Sequence, residues 1–393
     1  MRAENRNRAE TAALARVPSQ DLMVVTILAL VVRIVWHLFV PVRDWPDTAV
    51  YQATGHALLS TGAMSSGNYM PLYPLAISVL GPNGILILQG VVSALSAAVV
   101  QLISFDLFRS RLAAFLAGLM AALSPSLVFY AHMRLTETIY IALLLLAFLS
   151  FYRGRFAVGS VCVVLSILTR PTLDLLAPLL IVAFCIARRE TGLRTVALRL
   201  GLYALVYGAL MAPWWWHNWN LYHTFVRLDL GMGNLLVIEN SALFDRVGLD
   251  FQALAPAWER FNGIADPIAR DRAMVDAALH YITSDPIHWL QRCMERFLRF
   301  WNPMPGSDSA AVNAISFVTV VPVYGLAVFA LLRLSFQQWL LIVPILLLAA
   351  YLTAIHTVTH GIPRYRLPLE PFLIILASFS LAEGLTAIVR RRA

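Results

Sequence analysis

The chain has 393 residues, 59% of them hydrophobic and 13% charged, with a formal net charge of +8 and a mean hydropathy of +0.71. Soluble domains carry roughly 25% charged residues, and a core of this size could not hide so much apolar surface from water, so a water-soluble domain is excluded. All 30 basic residues are arginine, which reads as coding bias; they sit between apolar runs and form no exposed stripe, which argues against a nucleic-acid binder.

Residues 1–21 form a cytoplasmic segment in which Arg2, Arg6, Arg8 and Arg16 precede a long apolar run without a small-residue cleavage site. That pattern predicts an uncleaved signal anchor. A spanning helix needs about 20 mostly apolar residues. Candidate spans follow near 22–42, 85–107, 112–131, 137–152, 156–170, 172–187, 196–213, 311–332, 338–356 and 368–388. The fold class expected is therefore all-α and integral to the membrane, with about ten transmembrane helices. The fifth and sixth spans are short and share Arg170-Pro171 as a turn. The organisation is an N-terminal transmembrane module over 22–213, a long outer loop over 214–310, and C-terminal transmembrane helices with a short tail over 311–393.

The arginines fall on alternate loops. Arg109 and Arg111, Arg153 and Arg155, Arg188, Arg189, Arg194 and Arg199, then Arg333 and finally Arg390, Arg391 and Arg392 join the N-terminal group on one side. The positive-inside rule makes that side cytoplasmic, with both termini there. The opposite loops, 43–84, His132 to Thr136, 214–310 and His356 to Pro368, hold most of the acids, Pro-rich turns and tryptophans. Long loops of this kind tend to be functional. Ala49 to Leu59 and Pro74 to Leu80 predict interfacial helices, and Asp266-Pro267 and Asp285-Pro286 read as an acidic N-cap followed by proline at a helix start. Trp214, Trp215 and Trp216 read as an aromatic belt. Cys162, Cys185 and Cys293 show neither metal-ligand spacing nor a disulfide framework.

Four outer-face groups could carry chemistry. Asp44 and Asp47 follow the first span, where a carboxylate can act as a general base at the membrane surface, although acids there also serve as solvated helix caps. His132, Arg134 and Glu137 cluster in HMRLTET, which also fits a capping box. Arg170 stands between two apolar runs and breaks the positive-inside pattern; an intramembrane arginine costs about 2.5–3.5 kcal/mol, which a bound anion would offset. Arg364 and Arg366 flank Tyr365 in HGIPRYRLPLEP, where prolines fix the backbone and guanidinium forks suit phosphate; an interfacial anchor pair is the plainer reading. Carboxylates facing arginines at a membrane surface suit a phosphate-linked substrate arriving within the lipid.

At these residues the chain resembles the GT-C superfamily of membrane glycosyltransferases, in the branch of protein mannosyltransferases and lipid A aminoarabinose transferases, and is most similar to its small bacterial members. The family pattern of an acid with tyrosine four residues on is matched by Asp47 and Tyr51, with MPLYP from Met70 to Pro74 downstream. Where many members carry a second acid this chain has Thr48, which departs from a paired-acid site. Glu137 in LTET, Arg170 in LTRP, APWWWHN, GMGNLLVIEN and RYRLPLEP fall in the family's order over residues 20–385.

The resemblance implies a transferase of the bacterial inner membrane with its site facing the periplasm or exterior. It would move a sugar from a polyprenyl-phosphate donor to an acceptor hydroxyl with inversion. Asp47 would be the catalytic base, with Asp44 and Glu137 as supporting or alternative acids. Arg364, Arg366 and Arg170 would bind the donor phosphate, and Tyr51, His132 and Tyr365 are further substrate-site candidates. The acceptor is a glycan, glycolipid or protein; no cofactor is implied and a divalent metal stays open. Two other readings remain: a transporter or flippase of lipid-linked sugars, which calls for ionisable groups deep in the spans and broken helices, and a polymerase or ligase using diphosphate-linked oligosaccharides.

Overall fold

The computed structural model describes residues 17–62, 69–305 and 309–392, so the arginines ahead of the first span lie outside the described residues. No strand occurs among the described residues. In chain order, α1 is Ser19–Phe39, α2 Pro46–Thr61, α3 Leu72–Phe108, α4 Arg111–Leu123, α5 Pro125–Ala131, α6 Glu137–Tyr152, α7 Phe156–Thr169, α8 Ala177–Ala187 and α9 Leu193–Tyr222. The long outer segment holds α10 Met232–Glu239, α11 Ala242–Val247, α12 Phe251–Glu259, α13 Pro267–Ser284 and α14 Pro286–Phe300. The chain closes with α15 Ala310–Arg333, α16 Phe336–Val358, the short α17 Pro363–Arg366 and α18 Glu370–Arg392.

Six helices are long and apolar enough to cross a membrane, and α4 with α5, bent by 50°, makes a seventh if the pair is one span. The chain is a multi-pass membrane protein. Helices α6, α7 and α8 are apolar but shorter. The seventh predicted span ends too early: α9 runs unbroken through Pro213 and the tryptophans to Tyr222. The aromatic-belt reading of those tryptophans is corrected too. Only Trp216 is well exposed, whereas the indole N–H groups of Trp214 and Trp215 donate to the carbonyls of Leu228 and Arg227 and hold the chain that follows α9. Asp266 and Asp285 do cap their helices, accepting from the backbone N–H groups of Ile268 and Ala269 and of His288.

Small residues bring the helices close, as apolar packing in lipid requires. Ala113, Ala117 and Ala121 are buried along one side of α4, and a Cβ on Gly118 would come within 3.0 Å of Val25 in α1 and 3.1 Å of Gln101 in α3. Aromatic rings fill the wider centre, where Phe148 meets Phe372 at 4.5 Å and Phe184 at 5.0 Å between ring centroids.

One buried charge escaped the reading of the spans. Arg33, within α1, is 5% exposed and donates to Ser93 Oγ at 3.0 Å and to the carbonyls of Ala122 and Ala121 at 2.6 and 3.4 Å. The bend at Ser124-Pro125 explains it. Proline has no N–H to offer the carbonyl four residues back, which is that of Ala121, and the arginine supplies the missing donor. The intramembrane charge and broken helix that a transporter calls for are both present, and each accounts for the other structurally.

The arginine-rich loops gather at one end of the bundle. There Arg111 pairs with Asp21 at 2.7 Å and Arg153 with Asp106 at 2.8 Å, and Arg188 donates to the Tyr152 carbonyl at 2.6 Å. The starts of α2 and α6, the turn at Arg170 and the segment before α18 meet at the other end.

Candidate active site

Helix α2 starts at Pro46, whose missing N–H costs nothing at the first helical position. Thr48 fixes that start, its Oγ accepting from the Trp45 N–H and donating to the Arg134 carbonyl, both at 3.3 Å. Asp47 therefore sits in the first turn, where free amides favour an anion. Tyr51, one turn on, is buried with its ring edge-on to Tyr69 at 4.8 Å and to Tyr73 at 5.1 Å. It braces α2 against the start of α3.

Glu137 opens α6 and is fully buried. Its Oε1 accepts from Arg170 Nη1 at 2.6 Å and from Arg364 Nε at 2.5 Å. Arg364 also reaches Asp47, with Nη1 3.0 Å from Oδ2. Residues up to 317 positions apart thus form one chain of charges, Asp47–Arg364–Glu137–Arg170. Two carboxylates balance two guanidiniums, which is how such charge stays tolerable in a mostly buried place. The Tyr69 hydroxyl lies 3.5 Å from Asp47 Oδ1; burial, and then the Asp47 charge, push its pKa up, so it remains a proton donor.

Aromatic faces position the arginines. Arg170 lies 5.0 Å above the Tyr365 ring, whose other neighbours are His356, stacked at 4.6 Å, and His360, edge-on at 5.5 Å. Arg364 lies 5.5 Å above Trp45. Such cation–π contacts keep a guanidinium oriented without using up its donors.

The other predicted residues go elsewhere. Asp44 pairs with Arg134 at 2.6 Å. His132 is tied through Nε2 to the Val40 carbonyl at 2.8 Å and through Nδ1 to His37 at 3.1 Å; burial lowers its pKa. Arg366 turns away from Arg364, donating to the carbonyls of Asn302 at 2.6 Å and Phe300 at 3.2 Å beneath the Tyr324 ring. Among the described residues no three His, Cys, Asp or Glu side chains gather as a metal site.

Sequence reasoning missed the support beneath this site. Glu239, at the end of α10, is buried among Arg296 at 3.1 Å, Arg299 at 2.9 Å and His360. Arg296 also donates to the Val358 carbonyl at 3.0 Å, and a Cβ on Gly361 would lie 2.5 Å from the Arg296 carbonyl oxygen. The outer segment thereby clamps the 358–361 backbone that leads to Arg364. A lone acid closing the apolar run NLLVIE was the available signal.

Comparison with solved structures identifies this architecture. The archaeal oligosaccharyltransferase AglB from Archaeoglobus fulgidus, solved in complex with an inhibitory peptide and a dolichol-phosphate, overlays with a TM-score of 0.59 at 12% identity, over 95% of this chain and 51% of that one. The chain has the GT-C fold. ArnT from Cupriavidus metallidurans, bound to undecaprenyl phosphate, overlays at a TM-score of 0.46 with 13% identity, over 91% of this chain and 77% of that one, too loosely to carry an argument. No protein-family model and no curated protein matches the sequence. The chain spans about half the length of the oligosaccharyltransferase it overlays, and identity this low establishes shared fold only.

Proposed function

We propose that the chain is a membrane glycosyltransferase that moves a sugar from a polyprenyl-phosphate donor to an acceptor hydroxyl at the outer membrane surface. The observation that carries this reading is the Asp47–Arg364–Glu137–Arg170 chain of charges, which sets a candidate base beside two guanidiniums at the end of the bundle away from the arginine-rich loops. An apolar groove of about 700 Å³, lined by Phe297, Trp301, Ala349, Thr353, Ala354 and Thr357 among others, lies between the end of α14 and the second half of α16 and suits a lipid chain.

The chemistry is a single displacement at the anomeric carbon. The acceptor oxygen attacks as its proton passes to Asp47, the bond from that carbon to the phosphate oxygen breaks, and the electron pair leaves with the polyprenyl phosphate. The carbon inverts through an oxocarbenium-like transition state, as in other glycosyl transfer. Arg364 and Arg170 stabilise the charge that develops on the leaving phosphate, so no acid is needed to protonate it. Glu137, fully buried and shared by both arginines, orients them. Arg366 holds the site's backbone to the end of α14.

The test of the reaction is transfer by purified protein in nanodiscs, supplied with undecaprenyl-phosphate sugars and envelope acceptors from a deletion strain. Release of undecaprenyl phosphate with sugar appearing on an acceptor is expected; uptake of the donor across a proteoliposome membrane without transfer would favour the flippase. The outer-face placement has its own test. In a background lacking Cys162, Cys185 and Cys293, single cysteines replacing Ser60 and Asn262 are expected to label from outside intact cells. A cysteine replacing Thr191 should label only after permeabilisation, and labelling from outside would reverse the orientation.

A further inference from the structure

The proposed base and the proposed phosphate clamp share one guanidinium. Asp47 Oδ2 lies 3.0 Å from Arg364 Nη1, while Arg364 Nε rests on Glu137 Oε1 at 2.5 Å. The two carboxylates do not hold Arg364 equally. The Glu137 side chain is fully buried and carries Arg170 as well, at 2.6 Å. The Asp47 side chain is 32% exposed, and its other contact is the long one from the Tyr69 hydroxyl at 3.5 Å. Ion-pair attraction weakens as water reaches the pair. An anion arriving at Arg364 therefore displaces Asp47 and leaves Glu137 in place. A carboxylate oxygen already taken up by a guanidinium is also less open to an acceptor hydroxyl.

Building on the glycosyl-transfer reading, we propose that Arg364 couples the two substrates, holding Asp47 in an idle ion pair until the donor phosphate takes Arg364 over and releases the carboxylate to the acceptor hydroxyl. Charge follows the reaction in both directions. Before transfer the donor is a phosphodiester with one negative charge, enough to compete for Nη1. Transfer breaks the sugar–phosphate bond, moves the acceptor proton to Asp47 and leaves a phosphomonoester with a charge of roughly −1.5 to −2. Arg364 is then held more firmly by the product, while neutral Asp47 no longer competes. Departure of the polyprenyl phosphate and loss of the proton to water restore the resting pair. Donor binding precedes productive acceptor binding, and the base stays masked when no donor is present.

The consequence is the reverse of what loss of a site residue usually brings. Asp47→Asn removes the competitor for Arg364, so undecaprenyl phosphate, titrated into purified protein in nanodiscs, is expected to bind about tenfold more tightly than to wild type. Asp47→Ser should do the same and covers the case in which the asparagine variant folds poorly; size-exclusion profiles and melting temperature report on folding. Glu295→Gln removes one outer charge away from Arg364 and should leave the affinity at its wild-type value. Unchanged or weaker binding by both Asp47 variants, with binding by Arg364→Ala clearly reduced, would overturn the coupling and leave the phosphate clamp standing. Wild-type binding by Arg364→Ala would remove the clamp itself, and the coupling with it.

Discussion

Asp47→Asn is expected to lower the rate of sugar transfer by about 10²–10⁴, the usual contribution of a positioned proton acceptor. The change is nearly isosteric. It leaves Arg364 in contact with Glu137 and leaves the Thr48 bonds at the start of α2 intact, so the loss should appear in the chemical step while donor binding tightens. Asp44→Asn should cost far less, because its carboxylate pairs with Arg134 apart from the Asp47–Arg364–Glu137 chain. Donor binding and transfer, measured separately in nanodiscs, tell the two apart. Full transfer by Asp47→Asn with a dead Asp44→Asn would move the base to Asp44. Full transfer by both would take the first-loop carboxylates out of the mechanism. Glu137 is a weak third choice, since two guanidiniums already occupy its Oε1.

What the sequence made legible follows the ranges of the forces involved. Apolar runs and alternating arginines report on bilayer and surface charge, which act on each segment separately, and they located most of the apolar helices. The break at Gly81 falls between the helix predicted to end at Leu80 and the span predicted from 85, whereas the bend at Ser124-Pro125 was harder to read, because a predicted span counts hydrophobicity and ignores backbone breaks. The role of Arg33 depends on that bend and could be seen only with it. Asp47, Glu137, Arg170 and Arg364 were singled out because charge beside a membrane is costly and needs a reason. Their joint arrangement was not legible, since the Arg364–Asp47 contact spans 317 positions. Nor does residue spacing say where a long side chain points. Arg364 and Arg366, two apart in the sequence with proline on both sides, read as a pair; on the one turn of α17 they face different partners.

Arg364→Ala and Arg366→Ala are accordingly expected to fail in different ways. Truncating Arg364 removes a charged hydrogen-bond donor from the phosphate and leaves Asp47 without its partner and Glu137 with Arg170 alone. Donor affinity should fall by about 1.5–3 kcal/mol, as when a charged hydrogen bond is lost. Transfer should fall further, by roughly 10²–10³, if the arginine also meets the charge that develops on the leaving group. Arg364→Lys should rescue only partly: an ammonium can reach Asp47 or Glu137, but it lacks the planar fork that touches both. Truncating Arg366 instead leaves the carbonyls of Phe300 and Asn302 without their donor. That should lower conformational stability by about 1–3 kcal/mol, seen as earlier thermal unfolding, while the folded fraction keeps donor affinity within about twofold of wild type. The decisive comparison is donor affinity per folded molecule, with the folded fraction measured independently for each variant. If Arg366→Ala weakens the donor as much as Arg364→Ala does, both arginines act on the phosphate, and the Arg366 side chain must leave the end of α14 when the donor binds.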